Sequence, residues 1–148
     1  MNGYVNQYKN NQVLNASPEQ ILIMLYDGAL RFIRQAKAAI EAGDIAEKCR
    51  AISKTVAIVA EFSNTLDREN GGEIAEDLSR LYDFSLRELS MANIKNDAAR
   101  LEPIEKILQD LRDGFAEAAV INRKATHQPQ FVAPQQADED APRFSASF

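Results

Sequence analysis

The sequence predicts an all-α fold: an antiparallel, up-and-down four-helix bundle with an N-terminal arm and a disordered C-terminal tail. Three observations predict it. Four long runs carry apolar residues spaced alternately three and four apart, the period of one helix face. Helix start and stop residues sit at the boundaries of these runs. The string L-Y-D-x-x-L-R occurs twice, at 25–31 and 81–87, on the first and third runs.

The first helix starts with Ser17 as N-cap, Pro18 at the first helical position and Gln20 closing a capping box. Its stripe is Leu22, Leu25, Ala29, Phe32, Ala36 and Ile40, and Gly43 supplies a left-handed stop. Asp44 caps the next helix at once, with Glu47 three residues on, and so short a turn makes the two helices antiparallel. The second stripe reads Ile45, Cys49, Ile52, Val56, Val59, Ser63 and Leu66. The segment 67–72, D-R-E-N-G-G, combines charge, Asn and paired Gly, and is the clearest interior break. A third helix follows from about Glu73 to near Lys95, with Ile74, Leu78, Leu81, Ser85, Leu89 and Ala92 inward. Pro103 cannot lie deep inside a helix, so 97–101 reads as a turn and the fourth helix starts near Glu102 or Pro103. Its stripe is Ile104, Ile107 or Leu108, Leu111, Phe115 and Ala118.

The bundle therefore occupies 17–122. Residues 1–16 form a polar arm with apolar punctuation at Tyr4, Val5, Tyr8, Val13 and Leu14, compatible with a short capping helix. Residues 123–148 turn to Gln, Pro and acidic side chains, with too little apolar surface to offset ordering entropy.

In each copy of the repeat, Asp and Arg stand four apart and are expected to pair, Asp27 with Arg31 and Asp83 with Arg87. Tyr26 with Leu30, and Tyr82 with Leu86, form a second apolar ridge beside the inward stripe. The repeat fits either a hairpin duplicated into a bundle or convergence on one packing solution.

Composition removes several functions. The net charge of −5, with no dense basic face, excludes nucleic acid as a partner. No run approaches the roughly 18 apolar residues a membrane span needs, so no membrane insertion is expected. The start Met1-Asn2-Gly3-Tyr4 has neither the basic residues nor the apolar run of a secretory signal. Cys49 is alone, which fits a reducing, cytoplasmic setting, and on the inward stripe it reads as a small core hydrophobe. A di-iron bundle needs paired Glu-x-x-His motifs and a phosphotransfer bundle needs an exposed helical His; the one histidine, His127, lies in the Pro/Gln region. No Gly-rich phosphate loop exists, and Asp27, Glu76, Asp77, Asp83 and Glu88 read as solvated or ion-paired surface. No metal, cofactor or catalytic residue is expected, and the protein is not expected to be an enzyme.

Apolar surface is present in excess. Ile21, Met24, Tyr26, Leu30 and Ile33 on the first helix, Ile58 and Phe62 on the second, and Tyr82, Phe84, Leu86 and Met91 on the third all lie beyond the inward stripes. Part of this widens the core, and the rest would floor a groove able to take amphipathic helices.

The run A-S-P-E-Q-I-L-I-M-L-Y-D-G-A-L-R-F-I at 16–33 resembles the signature of the FliS family of flagellin export chaperones. A-I-E-A-G-D resembles that family's first turn, L-Y-D-F-S-L-R-E-L its third helix, A-N-I-K-N-D at 92–97 its third turn, and L-R-D-G-F-A-E-A its last helix. The resemblance runs in order from about Tyr4 to Asn122. Asn15 replaces a common Thr or Gln and Phe115 a common Trp, each keeping the physical role; the tail has no counterpart.

The resemblance implies a cytoplasmic chaperone that binds the C-terminal segment of flagellin, blocks premature polymerisation and helps deliver the subunit to the cytoplasmic domain of the flagellar export gate protein. With the apolar ridges, it implies flagellin-binding residues Met24, Tyr26, Leu30, Ile58, Phe62, Leu78, Tyr82 and Leu86. Tyr8 and Val13 fall at the family's arm positions, where they would mask the groove in the absence of client. The competing expectation is a homodimeric structural or regulatory bundle that buries the ridge against its own copy.

Overall fold

In a computed structural model, residues 16–127 are described. Four α-helices form among them: α1 (Pro18–Ala42), α2 (Ile45–Asn64), α3 (Gly72–Lys95) and α4 (Leu101–His127), with a single 3-10 turn at Ala98–Arg100 before α4. Each helix packs on the next and α4 returns to α1, so α1 and α3 lie on a diagonal; α1 and α2 approach most closely, α3 and α4 least. The arm positions Tyr8 and Val13, and the tail from 128 onward, lie outside the described residues.

The boundaries follow the chemistry of the caps. The Gln20 amide donates to Ser17 Oγ at 3.2 Å and the Ser17 amide to Gln20 Oε1 at 2.9 Å, closing both halves of the box. Gly43 takes φ 71°, a left-handed conformation that suits glycine, and the Asp44 amide donates back to the Ala39 carbonyl at 2.9 Å. Asp44 then accepts from the Glu47 amide. In the 67–72 break, a Cβ at Gly71 would collide with the carbonyl oxygen of Asp67, so only glycine fits there. Pro103 falls in the first turn of α4, where its missing N–H removes no intrahelical bond. That helix runs to His127, past the Asn122 at which the sequence reading ends the bundle, so the lone histidine is its last residue.

The α3–α4 corner is closed by a cation. Lys48, only 6% exposed, donates from Nζ to the Asn93 carbonyl at 3.0 Å and to Asn96 Oδ1. Asn96 sits left-handed at φ 51° as the C-cap of α3. A positive charge from α2 thus satisfies one carbonyl in the last turn of α3 and complements its dipole, which gives the A-N-I-K-N-D turn its physical role.

The bundle core is rotated relative to the stripes expected from sequence. In α1 the buried residues are Tyr26, Gly28, Ala29, Leu30, Ile33, Ala36 and Ala39, whereas Leu25 is 38% exposed. Every position from Ile21 to Tyr26 is apolar, so spacing alone does not select a face. In α2, Ile45 and Cys49 are exposed and Lys48, Ala51, Thr55 and Phe62 are buried, so Cys49 is not a core residue. Ile74 opens α3 at 73% exposure, and α4 buries Leu108, one of the two alternatives the spacing left open, and Ala119 rather than Ala118. The buried hydroxyls of Thr55 and Ser85 donate to the carbonyls one turn back, Ala51 and Leu81, which removes the penalty of placing them inside.

Candidate functional site

At the level of the repeat, each helix contributes one aromatic ring to a single cluster. Tyr26 of α1 stacks on Phe62 of α2 with centroids 4.3 Å apart, Phe62 lies 5.8 Å from Tyr82 of α3, and Phe115 of α4 lies 5.6 Å from Tyr26. The two repeat tyrosines meet across the diagonal, hydroxyl to hydroxyl, at 2.7 Å. Both hydroxyls are buried, so each supplies the partner the other needs. Burial, reinforced by the neighbouring Tyr82, pushes the Tyr26 pKa well up; burial also raises Tyr82, against the hydrogen bond from Tyr26.

This geometry corrects the expected spare ridge. Tyr26 (0% exposed), Leu30 (2%), Phe62 (3%), Tyr82 (1%) and Leu78 (7%) are core residues rather than a second surface. Tertiary packing on the diagonal helix claimed them, a long-range contact that no local spacing encodes. Ile58 and Leu86 are partly buried against the same core, and Met24 is 38% exposed. Of the eight expected binding residues, these three alone present surface.

The expected ion pairs inside each repeat are also corrected. Asp27 accepts from Arg112 Nε of α4 at 2.9 Å, not from Arg31, and Arg31 stacks over the Phe32 ring instead. No ion pair joins Asp83 to Arg87 among the described residues. Asp27, reinforced by Asp113, raises the Arg112 pKa. Two turns further along the α1–α4 seam, Glu105 accepts from Arg34 at 2.8 Å and Lys37 at 2.9 Å. Burial pushes the Glu105 pKa up, but these two cations outweigh it and hold the carboxyl below its ordinary value.

Exposed apolar side chains are unevenly placed. The bundle end where α1 and α3 start and α2 and α4 finish carries Ile21, Met24, Leu25, Ile74, Val120 and Ile121, six of the eight large hydrophobics that stand exposed among the described residues; Ile45 and Ile94 occupy the other end. Sequence reasoning singled out Ile21 and Met24 but passed over Leu25, Val120 and Ile121 as part of the surface. Leu25 was hidden by its place on the presumed inward stripe, and Val120 and Ile121 by the weak pattern where α4 leaves the core. Tyr26, the residue after Leu25, links this end to the buried aromatic cluster.

Among the described residues no group of three His, Cys, Asp or Glu is placed to hold a metal ion, and no helix is long and apolar enough to cross a membrane.

A family model described as "Flagellar protein FliS" matches residues 1–122. The flagellar secretion chaperone FliS of Salmonella typhimurium is 39% identical over 117 residues, covering 78% of this chain and 84% of that protein. That of Campylobacter jejuni is 39% identical over 112 residues, 76% of this chain and 88% of the relative. That of Bacillus subtilis is 38% identical over 120 residues, 81% and 89%. The family match stops before the tail, where the sequence resemblance also stops.

Proposed function

The chain belongs to the FliS family of flagellar secretion chaperones, which are not enzymes, and from that premise we propose that it binds the C-terminal segment of flagellin in the cytoplasm. Flagellin's terminal helices assemble with neighbouring subunits, so their apolar faces need cover until export. A bundle that occupies those faces blocks assembly by simple competition. The folding of such a segment on the chaperone costs about 2–5 kcal/mol of gross interaction energy, offset by the area buried. Delivery to the cytoplasmic domain of the export gate protein is the second half of the proposal. The match across residues 1–122 carries this reading.

The binding surface proposed is the apolar end of the bundle and the flanks that run from it. Met24, Ile58 and Leu86 make contact there, while Tyr26, Leu30, Phe62, Leu78 and Tyr82 form the packed floor beneath. In the same proposal, Tyr8 and Val13 of the arm cover that surface in the free protein.

Co-purification with flagellin, with and without its C-terminal segment, tests the proposal. A 1:1 complex lost on truncation is expected; a homodimer that ignores flagellin would overturn it. Met24→Glu should cut flagellin binding at least tenfold while circular dichroism stays helical, because Met24 is on the surface. Unchanged binding would remove the apolar end from the docking surface.

A further inference from the structure

A second surface on the molecule has the opposite character. Between α1 and α4 an open groove of about 620 Å³ is lined by Asp27, Leu30, Arg31, Arg34, Gln35, Ala38, Gln109 and Arg112. Three guanidinium groups face one carboxylate there, on a chain whose net charge is −5. Arg112 is held by Asp27 and Asp113, and Arg34 by Glu105 of the adjoining cleft, which leaves Arg31 as the groove's cation to recruit a further carboxylate. Among the described residues Arg31 has no carboxylate within ion-pair distance; it leans on Phe32, and Arg50 flanks the same ring. The groove therefore offers fixed guanidinium donors to an acidic segment, with Leu30 and Ala38 as an apolar base.

This chain carries such a segment. Asp138, Glu139 and Asp140 stand in a row and hold every carboxylate side chain of the residues that follow α4. The reach suffices. Arg112 lies fifteen residues before His127, the end of α4, hence about 22 Å back along the helix at 1.5 Å per residue. The eleven residues from 128 to 138 span up to about 36 Å when extended. Tethering makes the encounter intramolecular, at an effective concentration of about millimolar order, so even a weak charge-based contact is populated.

We infer that the groove of Arg31, Arg34 and Arg112 is the docking site for the chain's own acidic segment 138–140. The contact is electrostatic, reversible and independent of any client. It gives the tail, which the family match does not cover, a defined place on the bundle, along the α1–α4 seam rather than at the apolar end.

The test uses the full chain with Cys49→Ser and Ala137→Cys, carrying a nitroxide on the new thiol, and reads paramagnetic broadening of backbone amides by NMR. Broadening centred on Arg31, Arg34 and Arg112 is expected in about 20 mM salt, and its loss near 1 M salt, where the screening length is about 3 Å. The triple variant Asp138→Asn, Glu139→Gln, Asp140→Asn, and separately Arg31→Glu on the exposed face of α1, should each abolish the low-salt pattern. The inference is overturned if broadening is absent or uniform, if it centres on Ile21, Met24 and Val120, or if it survives charge neutralisation. Broadening that appears only on an unlabelled copy mixed with a labelled one would mean docking between molecules, and would overturn it equally.

Discussion

The two copies of L-Y-D-x-x-L-R share their sequence and little else beyond the tyrosine. In both, the ring is buried and the hydroxyls bond one another across the diagonal. The first copy then sinks into the tight α1–α2 packing, with Leu30 buried and Asp27 clasped by Arg112. The second lies in the middle of α3, which packs less closely on α4, with Leu86 only partly buried and Asp83 exposed. Identical local strings thus yield one invariant contact and several variable ones, because the invariant contact is made between the copies and the variable ones are made to different neighbours.

The largest consequence concerns the paired leucines. Leu30→Ala should destabilise the fold by about 2–5 kcal/mol, the range for a buried leucine that leaves a cavity. Leu86→Ala should cost less than half as much, because solvent already reaches its side chain. Urea unfolding of both variants measures the ratio. Equal losses would erase the distinction between the tightly and loosely packed copies.

Next come the tyrosines, where the copies should behave alike. Tyr26→Phe and Tyr82→Phe each strand one buried hydroxyl, a loss of about 1–3 kcal/mol. The double variant should be less destabilised than the sum of the singles, since neither hydroxyl is then left without a partner. The pH dependence follows from the raised pKa of both groups. An unfolded tyrosine ionises near pH 10 while the folded one holds its proton, so this stabilisation is complete below about pH 10 and lost as pH rises beyond it. The double Phe variant should show a shallower loss of stability above pH 10 than the parent. Parallel curves would mean that the tyrosine pair does not govern the alkaline limb.

The same contrast explains what the sequence made legible. Helix ends were readable because caps are local: Ser17 with Gln20, Gly43 with Asp44, and the 67–72 break each act within a few residues. The flagellar chaperone family was readable for a related reason, through short strings at helix starts, at turns and within helices, each legible without knowledge of the packing. Which face of each helix would be buried was not, since α1 is apolar all round from Ile21 to Tyr26 and the choice is made by Phe62, Tyr82 and Phe115 on other helices. Lys48 and Thr55 were missed inside for a related reason. Their acceptors, the carbonyls of Asn93 and Ala51, are backbone atoms whose positions depend on the completed fold and helix.

The smallest effect separates the two aspartates and probes the seam between α1 and α4. Asp27 ties α1 to α4 through Arg112, whereas Asp83 makes no ion pair among the described residues. Asp27→Asn removes the charge at nearly constant shape and should lower the melting temperature slightly, while Asp83→Asn should leave it unchanged. The Asp27 effect should shrink at high salt, as an exposed pair is screened. A loss at Asp83 equal to that at Asp27 would restore the intrahelical pairing the repeat suggests, with Arg87 taking the role that the fold gives to Arg112. Local spacing proposes an i,i+4 partner, but Arg112 offers Asp27 a half-buried guanidinium already held in place by α4, and the less solvated donor wins.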